Sequence, residues 1–473
     1  MSEIYNMIKD CRLYRNKVQI NSQEYVNSRS VVNYNKNDQD INYDIKDILF
    51  LCALSGTDCL MTGKTGAGKT HLSSLAMQAL FGDEHRENKT EIDDNNESRY
   101  MEGYVNKTIT PSMRPQEFLD ISYKLFIESG ESLKGAMEKT PILQVPGVIL
   151  NEANRAPGFV QNFLIPFLDK KMDIEGKYVD VGVDNGVQNY QFRTITINEG
   201  EEYETTAMDK ALRDRVGLEI PMDGFYQSSS DCLEMLKKMA KSKSDKDNDV
   251  NLEEPSMSMP ELSGKIEGLV KKNREVSFLL LYLSGMSYCY KVAQYNVWPP
   301  VKELIQLNEA FCSDCRYAAA TELNSEHNIC GSVRALSQRA LRQLLRLSQA
   351  VCVGAMIQES RLNKTSEFVV QEEDVWAIAP LVLYKKLQLS QRWLNAHAGS
   401  EWIALLSAIE LIRKRWEKIK EKNILEHAMK ADEGQALNEK VMREIRDYVS
   451  RQTDYWVLRL FPTYRAETLR IRE

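Results

Sequence analysis

The chain has 473 residues, 43% of them hydrophobic and 27% charged. This is ordinary globular composition, with length enough for two or three cores. A net charge of −7 argues against wholesale nucleic-acid binding. The polar start MSEIYNMIKDCRLYRN does not read as a signal peptide, and the apolar stretch Phe278–Tyr290 is too short to span a membrane. Nine cysteines, an odd set without an export signal, suggest reduced thiols and a cytoplasmic location. Residues 1–43 are polar and Asn-rich with little periodicity, and are expected to form an N-terminal arm with Asn33–Tyr43 as loop. Asp44–Leu54 has helical spacing and leads into a first strand.

Leu60–Gly82 is the most informative stretch. A short apolar run passes through GKTGAGKT (Gly63, Lys64, Thr65, Gly66, Ala67, Gly68, Lys69, Thr70) into a helical pattern. Strand, glycine-rich loop and helix in this order make a phosphate-binding loop with all four fixed positions filled. Backbone N–H groups would cradle phosphate oxygens. Lys69 would reach the β- and γ-phosphates, Thr70 would offer its hydroxyl to Mg²⁺, and the helix N-terminus adds partial positive charge.

Asp83–Arg99 reads as a surface excursion and Pro111–Ser129 as a moderately amphipathic segment. Gly147–Lys171 opens with the buried-strand signal Val148, Ile149, Leu150 and puts Asn151 and Glu152 at its end. A carboxylate at a strand tip beside nucleotide phosphates can orient or deprotonate the attacking water, and Glu152 fits that role. Asn151 stands where a metal-organising aspartate is usual. An amide still accepts a hydrogen bond from a metal-bound water, without the charge that strengthens the contact. A helix with Phe159, Phe163, Leu164, Phe167 and Leu168 follows. After it come a hairpin over Met172–Asn189 with a turn at Asp184–Gly186, a β-branched strand Phe192–Asn198, a short helix in Ala207–Val216, and the strand GLEIPM.

These pieces resemble AAA+ ATPases of the MoxR type over residues 50–222, and more loosely over 330–380. NEANRAP (Asn151–Pro157) is similar to the family's D-E-I-N-R-A-P, ITINE (Ile195–Glu199) to its A-T-x-N-P, and MDKALRDRV (Met208–Val216) to its L-x-x-A-x-x-D-R-F. The resemblance implies that Asn198 is sensor 1 and Arg215 an arginine finger, with Arg213 the fallback. The departures are Asn151 for Asp, Glu199 for Pro and Val216 for Phe; only the first touches the metal chemistry.

Residues 238–262 are charged and Ser-rich and read as a flexible insertion. Helical patterns dominate afterwards. Within Val333–Ala350, SQRAL resembles the family's S-x-R-A-L lid helix, which makes Arg339 the sensor-2 candidate and Arg334 the alternative; VVQEEDVWAI resembles a later lid element. Outside the resemblance, Cys312, Cys315, His327 and Cys330 have the pair spacing of a tetrahedral zinc site. The bland reading, core cysteines around a helical RYAAATEL, outweighs it. Glu401–Ile419 carries an apolar stripe (Trp402, Leu405, Ile409, Ile412, Trp416, Ile419) expected to pack in a bundle.

The expected organisation is an arm (1–43), an α/β AAA+ core of parallel sheet flanked by helices (44–222), an insertion (238–262), a helical lid (263–384) and a helical C-terminal extension (385–473). The resemblance implies a Mg-ATP hydrolase working as a homo-oligomer, a hexameric ring, on a protein client or adaptor. Two rivals remain: a nucleotide-gated scaffold slowed by Asn151, and a nucleic-acid-associated NTPase such as the GTPase subunit of a restriction system.

Overall fold

The computed structural model describes all residues except 1, 24, 28, 86–101, 120–139, 175, 200–207, 226, 241–252, 286–287, 290–304, 307–332, 335, 359–367, 390, 453–454 and 462–473. The chain divides into two compact units, Met1–Lys271 with Arg346–Phe368, and Lys272–Leu345 with Val369–Glu473.

The first unit opens with helix α1 (Ser2–Asn21), where sequence patterning suggests only a polar arm. Its buried residues Met7, Ile8, Cys11, Tyr14 and Val18 do keep helical spacing, and α1 packs on α2 (Ile45–Ser55) and α3 (Lys69–Phe81). Asn33–Tyr43 is not loop. It forms most of an antiparallel hairpin, β1 (Val32–Lys36) with β2 (Gln39–Tyr43). Asn37 and Asp38 turn it with φ of 50° and 61°, the positive pair that a two-residue type I′ turn needs and that Asn and Asp tolerate.

A five-stranded sheet lies at the centre, built from β3 (Cys59–Gly63), β4 (Tyr104–Thr108), β5 (Gly147–Asn151), β10 (Phe192–Asn198) and β11 (Leu218–Pro221). The spatial order is β11-β3-β10-β5-β4, with every pairing parallel. Strands β3, β5, β10 and β11 are buried along their whole length, as expected where helices cover both faces of a parallel sheet. One such layer joins Leu150 and Ile195 to Val160, Leu164 and Phe167 of the helix Gly158–Leu168, and Phe118 meets Phe167 edge-on at 5.2 Å.

Between that helix and β10 the chain makes two antiparallel ladders in place of one long hairpin: β6 (Lys171–Ile174) with β7 (Lys177–Asp180), then β8 (Val183–Asp184) with β9 (Asn189–Tyr190). Of residues 253–262, Ser258 caps the helix Met259–Leu269 in a capping box with Glu261, and Met259, Pro260 and Leu262 are buried. Asp10 of α1 holds the approach to this helix by accepting from Ser256 N, Ser256 Oγ and Met257 N.

The second unit is mainly helical, with a core that includes the helices Arg274–Ser284, Glu372–Leu383 and Glu401–Glu421. Leu405, Ile409, Ile412, Trp416 and Ile419 of the predicted stripe are buried, and Trp416 meets Tyr282 at 5.5 Å. The helix carrying SQRAL begins at Gln338, five residues later than the pattern suggests, with Ser337 Oγ accepting from Ala340 N. Val333–Arg334 instead pairs antiparallel with Gln388–Leu389. No helix among the described residues is long and apolar enough to cross a membrane.

Candidate functional site

In a parallel sheet, the C-terminal strand ends are where loops can gather polar groups around a ligand. Here β3 and β10 end in register, Gly63 opposite Asn198, and β4 and β5 end together at Thr108 and Asn151. Adjacency of β3, β10 and β5 therefore brings three distant sequence segments to one edge.

The loop after β3 holds Gly63, Gly66 and Gly68 at φ of 141°, 85° and 78°. Gly68 is the left-handed cap of α3, and no side chain caps the helix there. Its first N–H groups are thus left for an anion. A Cβ at Gly68 would come within 2.8 Å of the Tyr25 ring, so glycine is needed for both conformation and space. Lys64, Thr65 and Gly66 are exposed and Ala67 is half-buried. Asp223, just after β11, accepts from Lys64 N at 3.1 Å and ties down the loop entrance.

Lys69 is buried, and its Nζ donates to Gly63 O and Lys64 O, each at 2.8 Å. Burial draws the ammonium pKa below its usual value, opposed by the negative charges of Asp223, Glu152 and Glu199. A phosphate would add the charge that this cation is short of. Thr70 is exposed on the first turn of α3, and its Oγ1 donates to Asn151 Oδ1 at 2.9 Å.

Asn151 is buried in a chain of neutral hydrogen bonds. Its Oδ1 also accepts from Thr196 Oγ1 at 3.3 Å, and its Nδ2 donates to Asn106 Oδ1 at 2.6 Å. Glu152 follows in left-handed backbone (φ 57°, ψ 41°), a conformation that costs roughly 1–3 kcal/mol for a residue with a Cβ. Its neighbours hold it there. Glu152 N donates to Thr196 Oγ1 at 3.2 Å, Asn198 Nδ2 to Glu152 Oε1 at 3.3 Å, and Arg155 Nε pairs with Glu152 Oε2 at 3.0 Å. Asn154 Nδ2 donates to Asn198 O at 2.8 Å, closing the link between the two strand ends.

Lys69, Thr70, Asn151, Glu152 and Asn198 thus meet at one edge. Thr196 and Arg155, inside ITINE and NEANRAP but given no role there, join them, as do Asn106 and Asp223, which no local motif announces. Alternation along FRTITIN could have flagged Thr196, because it falls two residues before Asn198 on the same face.

The other predicted residues are not among them, although Arg213 reaches Glu199, the residue after Asn198. Arg215 Nε pairs with Asp169 Oδ2 at 2.8 Å, and its Nη1 donates to Ala211 O. Arg213 pairs with Glu199 at 3.1 Å and Glu219 at 3.7 Å. Gly217 N donates to Asp58 O, and Leu218 pairs with Cys59, so Arg215 precedes the N-terminal end of β11. It therefore sits at the edge of the sheet opposite the phosphate loop. Arg339 is half-buried at the start of the helix Gln338–Gln358, in the part up to Leu345 that belongs to the second unit. The backbone of Arg334 lies in the short strand Val333–Arg334. Cys312, Cys315, His327 and Cys330 lie outside the described residues. Among the described residues no group of three or more His, Cys, Asp or Glu side chains is arranged to hold a metal.

The chain's architecture can be set against known proteins. No family model and no curated protein matches it. Among solved structures it is similar to the crystal structure of a Cytophaga hutchinsonii protein designated, provisionally, an ATPase. The identity is 16%, with 87% of this chain and 98% of the other covered and a TM-score of 0.52. The fold is an α/β phosphate-loop core. The likeness spans nearly the whole of the neighbour at an identity too low to carry more than the fold.

Proposed function

We propose that this chain is a MoxR-type AAA+ ATPase that binds Mg-ATP and hydrolyses it in an oligomeric ring, a hexamer in the family it resembles, to remodel or mature a protein complex. The observation that carries the reading is the meeting of Lys69, Thr70, Asn151, Glu152 and Asn198 at one sheet edge. The provisional ATPase designation of the Cytophaga neighbour agrees with it.

Each residue has a distinct task. Lys69 and the loop N–H groups would bind the β- and γ-phosphates, and Glu152 would accept the proton of the attacking water while Asn198 holds its carboxylate. The donor set fits a nucleotide-borne Mg²⁺: one exposed hydroxyl on Thr70, backed by the Asn151 amide oxygen, suits an ion that keeps waters and phosphate oxygens as its main ligands. When bound, that ion would neutralise charge developing on the phosphates. Arg339 would sense the nucleotide from the lid. For Arg215, position is the argument: a five-residue strand spans ~13 Å, and Arg215 lies past the wrong end of it to serve its own loop. The resemblance implies that its charge, freed from Asp169, would serve the neighbouring subunit's nucleotide.

Asn151 favours one second reading, a nucleotide-gated scaffold with slow hydrolysis, because an amide organises metal-bound water less strongly than a carboxylate. Titration with labelled ATP and steady-state hydrolysis with ATP and GTP, with and without DNA, separate the readings. Lys69→Ala is expected to abolish tight ATP binding; unchanged affinity in that variant would sink the phosphate-site assignment.

A further inference from the structure

An amide has two ends, and only one can do a carboxylate's work. If Asn151 presented its NH₂ group to Thr70 and the phosphate site, it would repel rather than accept the hydrogens of metal-bound water. The surroundings decide which end faces out. Thr196 is buried, and its Oγ1 already accepts from Glu152 N at 3.2 Å. Its hydroxyl proton is directed to Asn151 Oδ1 at 3.3 Å. On the opposite side Asn106 Oδ1 accepts from Asn151 Nδ2 at 2.6 Å. Register explains the reach: Asn106 pairs with Ile149, so it lies diagonally beside Asn151 on the same face of the sheet. Asn151 Oδ1 is left facing the exposed Thr70 hydroxyl at 2.9 Å.

We propose that Asn106 on β4, with Thr196 on β10, is a positioning residue that locks the Asn151 amide oxygen toward Thr70, so that a neutral amide fills the acceptor role of the missing carboxylate. This rests on the nucleotide reading above. Asn106 and Asn151 then behave as a matched pair: one must accept where the other donates. Asn106→Asp keeps the acceptor and leaves the lock intact. Asn151→Asp removes the donor, and Asn106 compensates by turning its own NH₂ inward. Making both changes together sets two carboxylates at hydrogen-bond distance, where they repel.

The test reads Mg²⁺ dependence rather than turnover. Affinity for a fluorescent ATP analogue is measured with and without Mg²⁺ in the full-length wild type, Asn106→Leu, Asn106→Asp, Asn151→Asp and the double Asp variant, each checked for folding by thermal denaturation. Wild type is expected to bind more tightly with Mg²⁺. Asn106→Leu should lose about tenfold of that enhancement, the usual scale for removing the partner that orients a metal-site ligand, with Mg²⁺-free affinity unchanged. Asn106→Asp and Asn151→Asp should keep the enhancement, and the double Asp variant should lose it. A wild-type enhancement retained by Asn106→Leu, a wild type with none, or a double variant that behaves like the singles overturns the lock. Should Asn106→Leu fail to fold, the Asp variants decide by themselves. A wild type that binds no ATP, or Lys69→Ala binding as well as wild type, instead removes the phosphate-site reading and this inference with it.

Discussion

The two ends of the parallel sheet both gather polar side chains, and they do so in opposite ways. At the C-terminal ends, Asn106, Asn151, Thr196 and Asn198 form a mostly neutral network that stops at exposed groups, Thr70 and the loop backbone. At the other end, Arg193, the second residue of β10, is fully buried. It pairs with Asp58 at 3.0 Å, donates to Gln191 and to Leu168 O, and lies over the Phe167 ring at 4.5 Å. Lys170 joins this end, its Nζ donating to Gly56 O at 2.9 Å. One end is open, its neutral network set among the charges of Lys69, Glu152 and Arg155. The other holds its central Arg193–Asp58 pair buried, and that pair has to neutralise itself. The difference separates an edge with exposed polar groups from one with a buried ion pair, although both are built from polar residues at strand ends.

The sharpest way to break this comparison is to ask whether a base-end residue serves the open end. Arg215→Ala is expected to bind ATP almost normally and to turn over about a thousandfold more slowly, the usual scale for an arginine finger. Glu152→Gln should stall turnover by about 10²–10⁴-fold with binding retained. Co-expressed, the two variants should recover activity in mixed oligomers, since some interfaces pair an intact Glu152 with an intact Arg215. Mixed oligomers as inactive as either parent would confine Arg215 to its pair with Asp169.

A second, smaller effect separates structure from chemistry. Arg193→Met leaves the Asp58 carboxylate buried without its partner and should cost about 3–5 kcal/mol by urea denaturation. Adding Asp58→Leu should restore much of that loss, because a buried pair replaced on both sides loses its desolvation penalty as well. ATP affinity of folded Arg193→Met should match wild type; a parallel loss of affinity would mean the two ends are coupled through β10.

The smallest effect is a pH dependence. Burial lowers the Lys170 ammonium pKa from its usual value to about 7, with Asp58 opposing the shift and Arg193 adding to it. Above about 7 the folded protein releases a proton that the unfolded chain keeps until about 10.4. The unfolded state then binds more protons, so this group makes stability rise with pH. Unfolding free energy should climb between pH 7 and about 8.5, and Lys170→Met should flatten that climb. An identical slope in both proteins would show that Lys170 does not titrate there.

How much of this was legible beforehand depends on whether the signal was local. Gly63–Thr70, Asn151 and Glu152 stand out because loop spacing and strand ends can be read within a few residues, and Asn198 only because ITINE resembles a family motif. Helix α1 does not, because its buried stripe is made partly of Cys11 and Tyr14 among Asn, Lys and Arg, which blurs the period. The β1–β2 hairpin hides in Asn-rich VNYNK and QDINY, poor strand formers by composition, and only the Asn37-Asp38 turn betrays it. Arg193 reads as one charged residue interrupting a strand, and nothing nearby in sequence announces Asp58.

The sequence by itself determined the phosphate loop and the strand-end acid and amide, since each rests on a short pattern that local geometry must obey; the parallel α/β core was implied by the family resemblance. Only the tertiary structure decided who stands beside whom. Strand order put β10 between β3 and β5, which joins Asn198 to Glu152 and Thr196 to Asn151. The β4–β5 register set Asn106 against Asn151, and the course of the chain into β11 left Arg215 at the far edge. Those relations come from pairing between segments tens of residues apart. Burial of whole strand faces fixes that pairing, and no window along the chain contains it.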